Sequence, residues 1–385
     1  MKAKDVLNKK ELTITAKCFF GFEETLADEL TEFGFHNLEI LNRAIRFKGT
    51  WKDIYFLNLH CRCAISILVE LDSFDIRTEK DLYDNCMKID WTSIFDSRKS
   101  FAVKGAIFST IFKNTHYPFL LVKDAIVDCF RNQELERPNI DIKKPQVSFD
   151  LYVKDTKVTL SINTSGLPLF HRGYRQSTGE APLNEVVAAC LIRLSGWDKK
   201  TAFLDPFCGS GTILIEAALY SSGIPSNIER QHYSFKNLKN YQPVLWQGIY
   251  NDAKRIVREL PAPIMGVDFS DEMVLKSKRN LRTFSFGRLV AIQSKDFKDF
   301  QSDQPVFILT NPPYGERLEA EIELLYGELG TWLKHTMTGS ESWIISSSTE
   351  GLNTIGLKPE KKYKVFNGDL ECSFRQFKTY TGSLK

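Results

Sequence analysis

The chain is 385 residues long, 43% hydrophobic and 26% charged, with a formal net charge of +3. That length allows two or three packed domains, and its 28 Phe exclude a disordered chain. No run approaches the ~18–20 uninterrupted apolar residues of a membrane helix, and Met1-Lys-Ala-Lys-Asp5 lacks a secretory h-region, so a cytoplasmic protein without membrane contact is expected. The eight cysteines are scattered. Cys61-Arg-Cys63 is too tightly spaced for a usual zinc knuckle and has no second Cys/His pair in register. They read as reduced packing residues, with no metal site. A charge of +3 is too small by itself to signal nucleic-acid binding.

The first half reads as α+β. Leu12–Phe19 alternates like a strand, Phe22–Phe33 has helical spacing ended by Gly34, Ile45–Gly49 is strand-like and Trp51–Leu59 helical. A second unit follows, with a strand at Ala64–Leu71, a helix at Glu79–Ile89, a strand at Ser100–Phe108 and a helix at Lys123–Phe130. Val147–Val153 and Lys157–Asn163 pattern as a hairpin. Lys113, Lys123, Arg131, Arg137, Lys143, Lys144, Lys154 and Lys157 are spread over this unit. Solvated surface is the ordinary reading of each, and a face toward phosphates the sharper one.

His171-Arg-Gly-Tyr-Arg175 marks a seam, followed by a helical stretch at Ala181–Leu194 with Pro182 in its first turn. From Thr201 onward, short apolar runs alternate with helical ones: 202–204, 212–221, 264–267, 271–281, 289–292, 306–309, 322–335 and 343–346. Such alternation predicts a doubly wound parallel sheet. The tail departs from it, since Lys362–Phe374 forms two alternating runs around Asn367-Gly368, a strong hairpin signal. A parallel sheet closed by an antiparallel hairpin is the usual outline of a class I methyltransferase. The polar and aromatic stretch Gly223–Trp246 reads as an insertion capping that sheet.

Thr310-Asn-Pro-Pro-Tyr-Gly-Glu-Arg-Leu318 directly follows the apolar run Pro305–Leu309. Pro312 and Pro313 each lack an N–H and can continue neither helix nor ladder, which predicts a stiff loop at the carboxyl end of a parallel strand. Open α/β sheets bind ligands at such ends. Asn311 offers an amide oxygen, the loop offers carbonyls and Tyr314 a flat ring, which suits a nucleobase bearing an NH2. Earlier in the chain, Ala202–Ala218 reads as strand, glycine turn and helix, with Gly209 and Gly211 allowing a close backbone approach. Leu214 stands where a dinucleotide fingerprint needs glycine, and no Walker sequence is present. The free N–H groups of the helix start favour a carboxylate, and Asp205 would face an ammonium. S-adenosylmethionine has both groups. Asp268 could accept its ribose hydroxyls, Asp296 its adenine amine, and Phe297 could line the ring. A lone acid after a strand is more often a helix N-cap. The ordered series Asp205, Asp268, Asp296 and Asn311, at four successive strand ends, makes the cofactor reading the better one.

These motifs resemble the THUMP-domain class I RNA methyltransferases, closest to the bacterial enzymes that form N2-methylguanine in 23S rRNA. Phe20-Gly-Phe-Glu-Glu24, Ile45-Arg-Phe-Lys-Gly49, Val122–Asp128 and His171–Arg175 extend the resemblance over nearly the whole chain. It implies a ferredoxin-like domain at 1–60, a THUMP RNA-binding domain at 61–165 and a Rossmann-like methyltransferase domain at 166–385. It further implies S-adenosyl-L-methionine as cofactor and RNA, rRNA first, as partner; no obligate protein partner is legible in the sequence. The cofactor-binding set is then Asp205, Phe207, Gly209, Gly211, Thr212, Asp268, Asp296, Phe297 and Asn311, and the catalytic set Asn311, Pro312, Pro313 and Tyr314. The same Asn-Pro-Pro-Tyr occurs in DNA adenine-N6 methyltransferases. The alternatives are therefore that activity, a tRNA guanine-N2 methyltransferase, or a non-catalytic ribosome-assembly factor. No cysteine lies in the Asn311–Tyr314 loop, which argues against a covalent pyrimidine route.

Overall fold

Alternation along Leu12–Lys17 buries Leu12, Ile14 and Ala16 on one face of the first strand. The computed structural model describes residues 7, 9–175, 183–255, 259–313 and 319–380. Within these, the chain divides into two units. The first takes the described residues of Met1–Cys18 with Leu30–Leu169 and Gln231–Asp252; the second takes Phe19–Glu29, Phe170–Arg230 and Ala253–Lys385.

The first unit is built on β1 (Leu12–Lys17), β2 (Glu39–Leu41), β3 (Ala44–Gly49), β4 (Ser66–Asp75), β5 (Phe101–Phe108), β6 (Val147–Lys154) and β7 (Lys157–Asn163). They form one seven-stranded sheet in the order β2-β3-β1-β4-β7-β6-β5. Its neighbours are antiparallel except β5 and β6. The β1–β4 pairing, with Ile14 opposite Val69, makes the two expected N-terminal modules share one sheet. Two helices are started by matching devices. Thr50 and Thr78 accept from the N–H of Asp53 and Asp81, whose carboxylates reach back to the cap N–H. The helix expected at 123–130 is longer, Tyr117–Asn132, because Pro118 suits the donor-free first turn.

Gly223–Trp246 differs from expectation in part. Its segment from Gln231 onward packs with the first unit. Leu238 bridges to Phe95, the Phe235 N–H donates to Thr164 O at 2.9 Å, and Ser234 Oγ accepts from the Ser148 N–H at 3.1 Å. The aromatic rings of Tyr233, Phe235 and Trp246 are the cause, since they bury area against one another and against Tyr55.

The second unit carries β8 (Phe203–Asp205), β9 (Ile264–Asp268), β10 (Val290–Ser294), β11 (Phe307–Thr310), β12 (Glu341–Ser346), β13 (Lys361–Asn367) and β14 (Leu370–Lys378). The sheet order is β10-β9-β8-β11-β12-β14-β13. Strands β8 to β12 are parallel, and β14 and β13 are the antiparallel closing hairpin. This is the expected Rossmann-like methyltransferase sheet. Strand order runs outward from β8 through β9 to β10 on one side and through β11 to β12 on the other. The reversal falls between β8 and β11, and open sheets of this kind bind ligands in the crevice beyond the carboxyl ends of the strands at that point. An apolar layer that includes Leu204, Val267, Phe297, Ile308, Tyr326, Trp332 and Ile344 holds those strand ends in place. All eight cysteines are buried, and no described helix is long and apolar enough to cross a membrane.

Candidate active site

At the end of β8, Asp205 is 1% exposed. Its Oδ1 accepts from Thr310 Oγ1 at 2.7 Å and from the Phe207 N–H at 3.1 Å. The first bond ties the end of β8 to the end of β11. Burial pushes the Asp205 carboxyl up to about 7 and the nearby Asp268 charge adds to the rise, against the lowering effect of the two hydrogen bonds.

The glycine turn follows. Gly209 and Gly211 both have positive φ, 51° and 86°. A Cβ at Gly211 would lie 2.2 Å from Ser277 Oγ, so the turn and the Asp271–Leu281 helix approach as closely as glycine permits. From that helix, Asn280 Nδ2 donates to Ser210 O at 3.0 Å. Gly266 in β9 does similar work, because a Cβ there would meet Leu214 Cδ1 at 2.4 Å. Thr212 opens the Thr212–Ser221 helix, whose first N–H groups face the turn.

Asp268 ends β9. Its Oδ2 accepts from the Gly209 N–H at 2.9 Å and its Oδ1 from the Ser270 N–H at 3.0 Å. A carboxylate offers about four lone-pair sites, so capacity remains for two hydroxyl donors. Asp296 follows β10 and acts as an N-cap, accepting from the Lys298 N–H at 2.9 Å. Phe297 is 4% exposed and sits in the apolar layer against Trp332, with ring centroids 5.5 Å apart. Phe207 lies 4.9 Å from Phe297 and is only half-buried, so it keeps surface for a ligand. Asn311, directly after β11, is half-buried, and its Oδ1 is buried without a hydrogen-bond partner among the described residues. An orphan acceptor of that kind costs about 1–3 kcal/mol, which a ligand donor would recover. Pro312 is buried and Pro313 half-buried; Tyr314 lies outside the described residues.

The structure thus gathers Asp205, Phe207, Gly209, Gly211, Thr212, Asp268 and Asn311 at the carboxyl edge of one sheet. It also enlists residues that the sequence marked as a seam and as part of the resemblance, without a role in the site. Arg172 and Glu216 form an ion pair at 3.4 Å with both side chains 0% exposed. Tyr174 Oη donates to Glu216 Oε1 at 3.0 Å, and burial raises its phenol well above the ordinary tyrosine value. Glu216 is on the helix of the glycine turn, so this cluster fixes that helix from behind. Arg175 holds its front. Nε donates to Glu185 Oε1 at 2.6 Å, and Nη2 donates to Leu183 O at 3.2 Å and to Thr212 Oγ1 at 3.1 Å. The sequence signal was a run of two arginines and a tyrosine within five residues just ahead of the cofactor motif.

Among known proteins, residues 172–376 match the RMKL-like methyltransferase domain, residues 13–68 the RlmL ferredoxin-like domain and residues 77–163 the THUMP domain. The chain is 33% identical over 383 residues to the ribosomal RNA large subunit methyltransferase K/L of Photobacterium profundum, covering 97% of this chain and 53% of that protein. It therefore spans about half the length of the curated relatives it matches. SMU.472, assigned as a methyltransferase and solved in complex with SAH, superposes with a TM-score of 0.86 at 27% identity, over 97% of this chain and 100% of that one. A Listeria monocytogenes protein bearing the name predicted N6-adenine-specific DNA methylase gives a TM-score of 0.85 at 26% identity, covering 98% of each chain. With a family match extending over more than half of its residues, and with the glycine turn, the two strand-end carboxylates and the Asn-Pro-Pro loop all inside it, the chain belongs to the RMKL-like methyltransferase-domain family.

Proposed function

We propose that the protein methylates the exocyclic N2 amine of a guanine in 23S ribosomal RNA, in the cytoplasm, with S-adenosylmethionine as donor. The observation that carries this reading is the buried Oδ1 of Asn311, which has no partner among the described residues and lies one residue beyond the Thr310–Asp205 link at the crevice. An amine needs an acceptor at that place. The surrounding residues fit the cofactor as well. The helix start at Thr212 suits a carboxylate, Asp205 an ammonium, Asp268 the ribose hydroxyls and Phe207 the purine ring.

When bound, S-adenosylmethionine supplies an electrophilic methyl group on a sulfonium. The protein's part is positioning and charge. A guanine N2 lone pair is delocalised into its ring, and Asn311 accepts one amine N–H so that the nitrogen pyramidalises and aims its lone pair outward. As positive charge develops on nitrogen, the carboxamide dipole stabilises it without reorganisation. Pro312 and Pro313 keep the loop from relaxing away. The target leaves its stack to reach the crevice, and the THUMP region supplies affinity for the surrounding RNA.

The name of the Listeria relative points to a second amine, adenine N6, on DNA. The THUMP match at 77–163 favours RNA. Mass spectrometry of nucleosides from a strain lacking the gene separates the readings. N2-methylguanosine missing from one position of 23S rRNA is the expected result. Intact rRNA with N6-methyladenine lost from DNA, or N2-methylguanosine lost from tRNA, overturns it.

The Asp205 carboxyl gives this reading a pH signature. Its value near 7 lies above that of an unfolded aspartate, so folding favours the protonated acid and this group's contribution to stability falls as pH rises from about 4 to 7. Cofactor binding has the opposite sign, because an ammonium needs the carboxylate. Affinity for S-adenosylhomocysteine should rise with pH up to about 7 and flatten above, by up to about tenfold per pH unit on the acid side. Calorimetry from pH 5.5 to 8.5 tests this, and Asp205→Asn should abolish the slope. A slope equal in wild type and variant removes Asp205 from the cofactor site.

A further inference from the structure

Arg175 has more donors than the fold uses. Its Nε is taken by Glu185 and its Nη2 by Leu183 O and Thr212 Oγ1, while Nη1 is buried and has no partner among the described residues. Buried guanidinium donors are seldom left unpaired, since an orphan of this kind costs more than an ordinary hydrogen bond returns. The buried Glu185 carboxylate calls for a cation here, but it engages only Nε, and among the described residues nothing uses Nη1. What arginine adds is a rigid fork, with one prong anchored on the first residue of the Thr212–Ser221 helix and the adjacent prong unused. Glu185 offsets most of the positive charge, so what remains is a directed donor. A directed donor beside helix N–H groups is matched by a carboxylate oxygen.

We propose that Arg175 is a cofactor-binding residue that recognises the carboxylate of the amino-acid end of S-adenosylmethionine, and that it makes this family's pocket select the whole cofactor over its nucleoside part. The assignment rests on the cofactor reading above. Nη1 donates to one carboxylate oxygen, and the helix N–H groups serve the other. Thr212 is the go-between: its hydroxyl accepts from Nη2 and so fixes the angle of the fork.

The test compares two ligands on the full-length protein by calorimetry, S-adenosylhomocysteine and 5′-methylthioadenosine, which lacks the amino-acid end. Arg175→Gln should weaken S-adenosylhomocysteine by about 10- to 100-fold, the loss expected for one charge-assisted hydrogen bond. It should leave 5′-methylthioadenosine within about twofold, and thus collapse the ratio of the two affinities. Equal weakening of both ligands would mean that Arg175 only buttresses the turn, and no weakening of either would mean that it touches nothing; both overturn the proposal. If Arg175→Gln melts early, Arg175→Lys is read by the same ratio, which should fall partway, and an unchanged ratio there counts against the proposal. A wild-type protein that binds 5′-methylthioadenosine as tightly as S-adenosylhomocysteine also overturns it. Wild type that binds neither ligand refutes the cofactor reading itself, and with it this one.

Discussion

Asn311→Ala lowers single-turnover methyl transfer on saturating RNA by about 10²–10³-fold, the loss expected when one preorganised polar group is removed from a developing charge. Its affinity for S-adenosylhomocysteine should stay within about twofold, because the carboxylates and the glycine turn lie on other strands. The structural basis is specific. Thr310 is buried and bonded to Asp205, so the residue after it is held at a fixed height above the sheet. Among the described residues, Asn311 Oδ1 is an acceptor left over there. Asn311→Asp keeps size and an acceptor while adding charge, and it should retain more activity than the alanine variant. If Asn311 merely shapes the turn before Pro312, alanine should instead lower the melting temperature and leave the rate per folded molecule near normal. Transfer rate and melting curve measured together decide between these, and a stable, cofactor-binding Asn311→Ala protein with near-normal transfer would rule out the catalytic role.

Glu216→Ala should destabilise the second unit by about 3–5 kcal/mol, the usual cost of leaving one partner of a buried ion pair uncompensated. The Arg172 and Glu216 side chains are both 0% exposed, and Arg172 Nη1 also donates to Asn227 Oδ1 at 3.2 Å. Removing the carboxylate strands a buried guanidinium and takes the acceptor from Tyr174 Oη. The double variant Arg172→Leu, Glu216→Leu should be much less damaging than the sum of its parts, since it buries no charge. Thermal and urea unfolding of the singles and the double measure this. A Glu216→Ala shift below about 1 kcal/mol, the scale of an exposed pair, would show that the cluster does not brace the glycine-turn helix.

Much of the second unit was legible in the sequence because its signals are local. The helices at Thr212–Ser221 and Asp271–Leu281 and the hairpin around Asn367-Gly368 fall where periodicity and turn chemistry place them. The strand-end acids and Asn311 could be named because a parallel sheet puts every such end on one edge. Asp296 shows the limit, for the same position that suits an adenine amine also suits an N-cap, and its Oδ1 is bonded to the Lys298 N–H.

What the tertiary structure alone decided is long in sequence separation. No local pattern pairs Ile14 with Val69, and only that pairing merges the ferredoxin-like and THUMP strands into one sheet. Nothing near Leu238 shows that it bridges to Phe95, nor does the run His171–Arg175 reveal that Arg172 meets a glutamate forty-four positions later. Backbone preference acts over a few residues and therefore survives in the sequence as pattern. Burial rewards any apolar or charge partner that the folded chain can bring close, so its choice among distant candidates exists only once the whole chain has packed.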